Sequence, residues 1–99
     1  MVSTTVATLP DAHTLATGLC DARLVACVHI DPPATSHYNW QGTRHHTTEY
    51  TVKMTTTPAQ WEPIQAWMST HHPYDLPQLI ATSATASRAY AQWVDQQVS

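Results

Sequence analysis

From Thr43 to Thr57 the chain carries neither glycine nor proline, and Thr and Val alternate with Tyr, Glu, Lys and Met along its second half. Extended chain of that length puts Tyr50, Val52 and Met54 on one face and Glu49, Thr51 and Lys53 on the other. In a chain of 99 residues such a strand has to be one arm of a hairpin, because its backbone donors and acceptors need a partner. Gln41-Gly42 offers the turn, and Ser36, Tyr38 and Trp40 lie on the returning arm. Asp31-Pro32-Pro33 separates that arm from Leu24–Ile30, where Ala26, Val28 and Ile30 alternate with Cys27 and His29. Neither proline can donate to a ladder, so a bend or bulge is expected there.

The remaining elements follow from local pattern. Val2 to Leu9 is rich in β-branched residues and free of breakers, which predicts a first strand. Pro10-Asp11 opens a helix whose Ala12, Leu15, Ala16, Leu19 and Ala22 recur at helical spacing; Gly18 weakens it by up to about 1 kcal/mol without ending it. A second helix starts with Thr57 as N-cap, Pro58 at the first helical position and Gln60 closing a capping box, and Trp61, Ile64, Trp67, Met68 and His71 share its stripe. His72-Pro73-Tyr74 ends it, because a residue before proline avoids the α region. Leu76 to Thr82 reads as a fourth strand with Pro77 at its start or edge. A last helix from Ser87 to Gln97 shows Tyr90, Trp93, Val94 and Gln97 as a stripe.

The order βαββαβ plus a terminal helix predicts an α+β, ferredoxin-like sandwich, one domain over residues 1–99, with both main helices on one face of a four-stranded antiparallel sheet. The other face stays bare. Tyr50, Val52 and Met54 exceed what two helices can cover along so long a hairpin, so subunit association is expected to bury the remainder.

Composition excludes several function classes. Charged residues are 11% of the chain, and four Lys and Arg against seven Asp and Glu give a formal charge of −3. The cations are scattered, which leaves no basic footprint for nucleic acid. No uncharged stretch is apolar enough for a leader or a membrane span, so the cytosol is the expected location. Cys20 and Cys27 form no CxxC pair, and free thiols are expected. No Ser/His/Asp or Cys/His elbow, phosphate-cradling glycine loop or paired carboxylates stand out, so no enzyme is expected.

Five motifs in order carry a family resemblance: Leu24-Val25-Ala26-Cys27-Val28, Tyr38-Asn39-Trp40-Gln41-Gly42, Lys53-Met54-Thr55-Thr56, the run His72 to Leu79, and Tyr90-Ala91-Gln92-Trp93-Val94. Over nearly its whole length the chain resembles the CutA family of divalent-cation tolerance proteins. The resemblance implies a tight homotrimer of ferredoxin-like subunits, arranged as in the PII signalling proteins, and a part in copper or other divalent metal homeostasis. It also implies copper ligands, a Cys on the first strand and the two His before Pro-Tyr. His71 and His72 match the pair, while the first-strand position falls on Ala7, which has no ligand atom. Asp75 and Gln78 stand where the family has Glu, and Ala86-Ser87 stands for its Gly-Asn.

The residues themselves admit two metal readings and one cleft. Seven His make weak association with copper(II) or another divalent cation plausible chemistry, since imidazole suits these ions. Adjacent helical residues diverge by about 100°, so His71 and His72 converge on one ion only if the helix unravels before Pro73; otherwise His71 belongs to the helix interface and His72 to the helix end. Cys27 and His29 share a strand face, about 6 to 7 Å apart along the chain, as ligands of one ion or as a small hydrophobe beside a polar neighbour. His45 and His46 fall on opposite faces of the hairpin. Trp40, Glu49, Lys53, His72 and Tyr74 could line a cleft between subunits, with Glu49 and Lys53 orienting a ligand or pairing across the trimer. The alternative to metal handling is therefore a PII-like signalling or scaffold trimer that takes a small molecule or partner protein there.

Overall fold

A computed structural model describes residues 1–98; Ser99, the last residue of the expected domain, lies outside the described residues. The elements are β1 (Val2–Val6), α1 (Leu9–Asp21), β2 (Cys27–Ile30), β3 (Ala34–Trp40), β4 (Thr43–Thr55), a 3₁₀ turn (Pro58–Gln60), α2 (Trp61–His71), β5 (Ile80–Ala81) and α3 (Arg88–Gln97). The sheet runs β2-β4-β1-β5, every neighbour antiparallel. This is the ferredoxin-like order expected. β4 serves three ladders: its residues 50–54 pair with β1, 52–55 with β2, and 43–49 with β3 in a hairpin that extends beyond the sheet. The molecule is accordingly elongated, 46 × 26 × 22 Å.

Several boundaries differ from the sequence expectation. β1 ends at Val6 rather than Leu9, because Thr8 caps α1: its hydroxyl accepts from the Asp11 N–H at 3.2 Å. Ala7 therefore lies past the first strand. Thr57 makes no side-chain cap, so its half of the expected capping box is missing; the Gln60 N–H bonds the Thr57 carbonyl at 3.0 Å, winding Pro58–Gln60 into a 3₁₀ turn before α2 begins at Trp61. The fourth strand shrinks from Leu76–Thr82 to Ile80–Ala81, paired only with Val2 and Ser3. Pro77 has no N–H for a ladder. Ser87 does cap α3, accepting from the Tyr90 N–H at 3.3 Å.

The core also resolves which face of β4 is covered. Val52 and Met54 are fully buried with Val2, Thr4 and Val6, against Ala12, Leu15 and Leu19 of α1 and Ile64 and Met68 of α2. The expectation that Val52 and Met54 would need a neighbouring subunit is thus overturned; the helices suffice, and Tyr50 is half-buried against the same core. By alternation the helix-free face carries Ser3, Thr5, Cys27, His29, Thr51, Lys53 and Thr55. It is polar. Apolar surface is left elsewhere, on Tyr38 and Trp40 of the hairpin, on Leu76 and Ile80, and on Tyr90 and Trp93 of α3. Of the α3 stripe only Val94 is buried. Beside it opens a cleft of about 770 Å³, lined among others by Thr56, Trp61, Ser83, Tyr90 and Val94.

Gly18 explains itself in three dimensions. A Cβ there would stand 2.6 Å from Cζ2 of Trp67, so the glycine is where α1 lets the indole of α2 approach. α1 ends without glycine: Arg23 takes φ 58° beyond its C-terminus, and the guanidinium donates to the Gln96 and Gln97 carbonyls of α3 at 3.1 and 3.2 Å. A cation on the last carbonyls of a helix also opposes its dipole favourably.

Candidate functional site

Of the His72 to Leu79 run, His72 and Tyr74 meet Thr4 and Glu49 where α2 stops beside β1 and β4. α2 ends at His71, and His72 is already extended with φ −75° and ψ 136°, as the following proline requires. That turn directs the His72 ring onto the sheet. Its Nδ1 accepts from the Tyr74 N–H at 3.0 Å, and its Nε2 lies 2.9 Å from the Thr4 hydroxyl. A backbone N–H can only donate, so Nδ1 carries the lone pair and Nε2 the hydrogen, which is given to Thr4. Tyr74 continues the chain: its hydroxyl donates to Glu49 Oε2 at 2.9 Å, and its ring is tilted against that of His72 with centroids 5.2 Å apart.

Electrostatics agree with this assignment. Burial holds His72 below its ordinary value, against the opposing pull of a Thr5 backbone hydrogen bond and of Asp11 and Glu49. Burial, then the hydrogen bond to Glu49, pushes the Tyr74 phenol well above its usual range. The row Glu49–Tyr74–His72–Thr4 is thus a neutral clamp with a single carboxylate at one end. It fastens the Pro73 turn to the sheet, with both His72 nitrogens and the Tyr74 hydroxyl engaged within the protein.

His71 has a different role from its neighbour. Its ring stacks on Trp67 at 4.0 Å and 3°, and Nδ1 lies 2.7 Å from the Trp67 carbonyl and 2.9 Å from the Thr70 hydroxyl. A carbonyl only accepts, so Nδ1 is protonated and the lone pair sits on Nε2 of an exposed ring. An imidazole held by N–H to carbonyl with its other nitrogen open is the arrangement found behind metal-ligating His. His72, by contrast, has both nitrogens engaged within the protein.

Within one chain, Glu49, His72 and Tyr74 come together, while Trp40 and Lys53 stand apart from them, and the cleft expected between subunits would draw on more than one chain. Lys53 pairs with Asp31 at 2.9 Å, both half-exposed. Trp40 lies opposite Thr43 at the end of the hairpin, six residues along β4 from Glu49, or about 20 Å. His45 and His46 do lie on opposite faces, stacked across the hairpin on Tyr38 and His37 with centroids at 5.5 and 5.6 Å. Sequence reasoning passed over His37 and Thr4. The register of a hairpin closed by Gln41-Gly42 would have set His37 against His46, but a threonine within a β-branched strand gives no sign of its buried hydroxyl. Cys20 and Cys27 are free thiols. Among the described residues no group of three or more His, Cys, Asp or Glu is placed to hold a metal ion, and no helix is long and apolar enough to cross a membrane.

Comparison with known proteins gives a consistent answer. Residues 1–97 match the family model described as CutA1 divalent ion tolerance protein. The divalent-cation tolerance protein CutA of Thermus thermophilus is 34% identical over 84 residues, 84% of this chain and 82% of that protein. The protein of the same name from Escherichia coli is 30% identical over 92 residues, covering 89% and 82%. Among solved structures, CutA from Synechococcus elongatus is similar with a TM-score of 0.91 and 37% identity, over 99% of this chain and 88% of that one. The Thermus thermophilus and Escherichia coli proteins are named for tolerance of divalent cations and not for a reaction.

Proposed function

The chain belongs to the CutA1 divalent ion tolerance protein family, and from that premise we propose that it acts in copper and divalent-metal homeostasis as a cytosolic homotrimer that binds metal weakly through His71 and His72. The observation that carries the reading is the exposed His71 ring, whose Nε2 lone pair is oriented by Nδ1 on the Trp67 carbonyl. His72 joins only in its other tautomer, because Nε2 carries the hydrogen; the exchange gives up both the Thr4 and the Tyr74 hydrogen bonds, about 1 kcal/mol each. One open imidazole and one engaged imidazole make an exchangeable site, suited to a cation carried as cargo. The projecting hairpin, with exposed Tyr38 and Trp40, and the exposed Ile80 supply apolar surface for association with other copies.

The test is calorimetric titration of copper(II) into tag-free protein, with glycine as competitor, for the native chain, His71→Ala and His72→Ala, alongside sedimentation equilibrium. Binding that is lost in His71→Ala, and lost in the native chain below a pH of about 6 as imidazole protonates, is the expected result, with a mass of three chains. Copper binding unchanged in both variants, or a monomer, overturns the proposal.

A further inference from the structure

On the helix-free face of the sheet, at its β2 edge, Cys27 Sγ and His29 Nδ1 stand 3.8 Å apart. A metal bonded to thiolate at about 2.3 Å and to imidazole at about 2.0 Å, with an angle between tetrahedral and trigonal, holds its sulfur and nitrogen roughly 3.5 to 3.7 Å apart. The pair at 3.8 Å is therefore close to chelating separation, and a small side-chain adjustment closes the difference. From this geometry we infer that Cys27 and His29 form a second cation site, specific for thiophilic divalent transition metals of the zinc and cobalt(II) type.

The fold presets the pair. Residues two apart on a strand share a face, and the ladder fixes both: Cys27 lies opposite Thr55 and His29 opposite Lys53. Thr55 is small and uncharged. Lys53, the cation beside the site, is neutralised by Asp31 at 2.9 Å. Val28 and Ile30 point to the other face and pack on the core, so the strand carrying the ligands is anchored. Cys27 is partly accessible and His29 exposed. Binding replaces the thiol proton of Cys27, which leaves to solvent, and forms one metal–sulfur and one metal–nitrogen bond. The remaining positions are open to water or a small thiol, as in an exchangeable site.

Titration with cobalt(II) tests the assignment, because thiolate ligation gives a near-ultraviolet charge-transfer band that imidazole alone does not. The band should appear in the native protein, Cys20→Ser and His71→Ala, vanish in Cys27→Ser, and shift its midpoint to higher cobalt in both His29→Ala and His29→Gln, with zinc displacing it. Circular dichroism checks that each variant is folded. Absence of the band, its persistence at the native midpoint in both His29 variants, or its loss in Cys20→Ser or His71→Ala overturns the proposal. Failure of copper binding at His71 leaves this result unaffected, so the two sites are separable.

Discussion

Gly18→Ala is the substitution on which local and tertiary reasoning give opposite signs. In isolation alanine should stabilise α1 by about 1 kcal/mol. In the fold its Cβ would meet Trp67 Cζ2 at 2.6 Å and Cη2 at 3.1 Å, where ordinary contact begins at 3.4 Å. The indole has little room to withdraw, since its ring is stacked on His71 at 4.0 Å and the residue packs against the core. Overpacking of this kind destabilises by about 1–3 kcal/mol, so the net effect is a loss of about 1 kcal/mol. For a domain of this size that is a fall in melting temperature of about 4–8 °C. Thermal and urea denaturation followed by circular dichroism, at one protein concentration, measures it. Trp67→Phe removes the ring atoms that Cβ would strike, so in that background Gly18→Ala should become neutral or stabilising, and the double-mutant cycle isolates the contact. A higher melting temperature for Gly18→Ala in the native background would refute the reasoning.

Two further outcomes follow from the clamp. His72 has a folded value below its unfolded 6.5, so its contribution is complete above that pH and is lost as pH falls through the lowered folded value; protonated Nδ1 would also confront the Tyr74 N–H donor. Melting temperature should therefore fall more steeply on acidification for the native chain than for His72→Gln, and parallel curves would refute the assignment. Tyr74→Phe removes the hydroxyl from Glu49, and because both side chains are half-exposed the loss should be about 1 kcal/mol or less. The same variant should abolish a late step in the alkaline titration of tyrosinate absorbance, and an unchanged titration would contradict the hydrogen bond.

The elements legible in the sequence were those whose signals are local. The hairpin turn at Gln41-Gly42, the α1 and α2 stripes and the Ser87 cap need only neighbours within a few residues. What depended on distant partners was misjudged or invisible. Thr8 has the side chain of an N-cap, yet the alternation of Val2 to Leu9 carried the strand reading past it. Alternation separates the two faces of β4 but does not say which one the helices cover; Val52 and Met54 could be assigned only once β1 and the helices were in place. Gly18 read as a weakness because its reason, Trp67, lies on another helix. The divergence of His71 from His72 followed from helix geometry, but that Thr4 and Tyr74 would occupy both nitrogens of His72 required the fold.

The position of β1 has a consequence for how this chain emerges from a ribosome. Val2–Val6 leaves the exit tunnel first among the strands, yet its ladders are with β4 and β5, whose paired residues are Tyr50–Met54 and Ile80–Ala81. During translation it must wait, unpaired along both edges, for half the chain to follow. The waiting segment, Val-Ser-Thr-Thr-Val, is uncharged, rich in β-branched residues and without proline, the composition that favours intermolecular pairing. A ribosome stalled before β4 thus displays a sticky strand that the finished protein keeps at the centre of its sheet, and nascent-chain chaperones have most to shield in that interval.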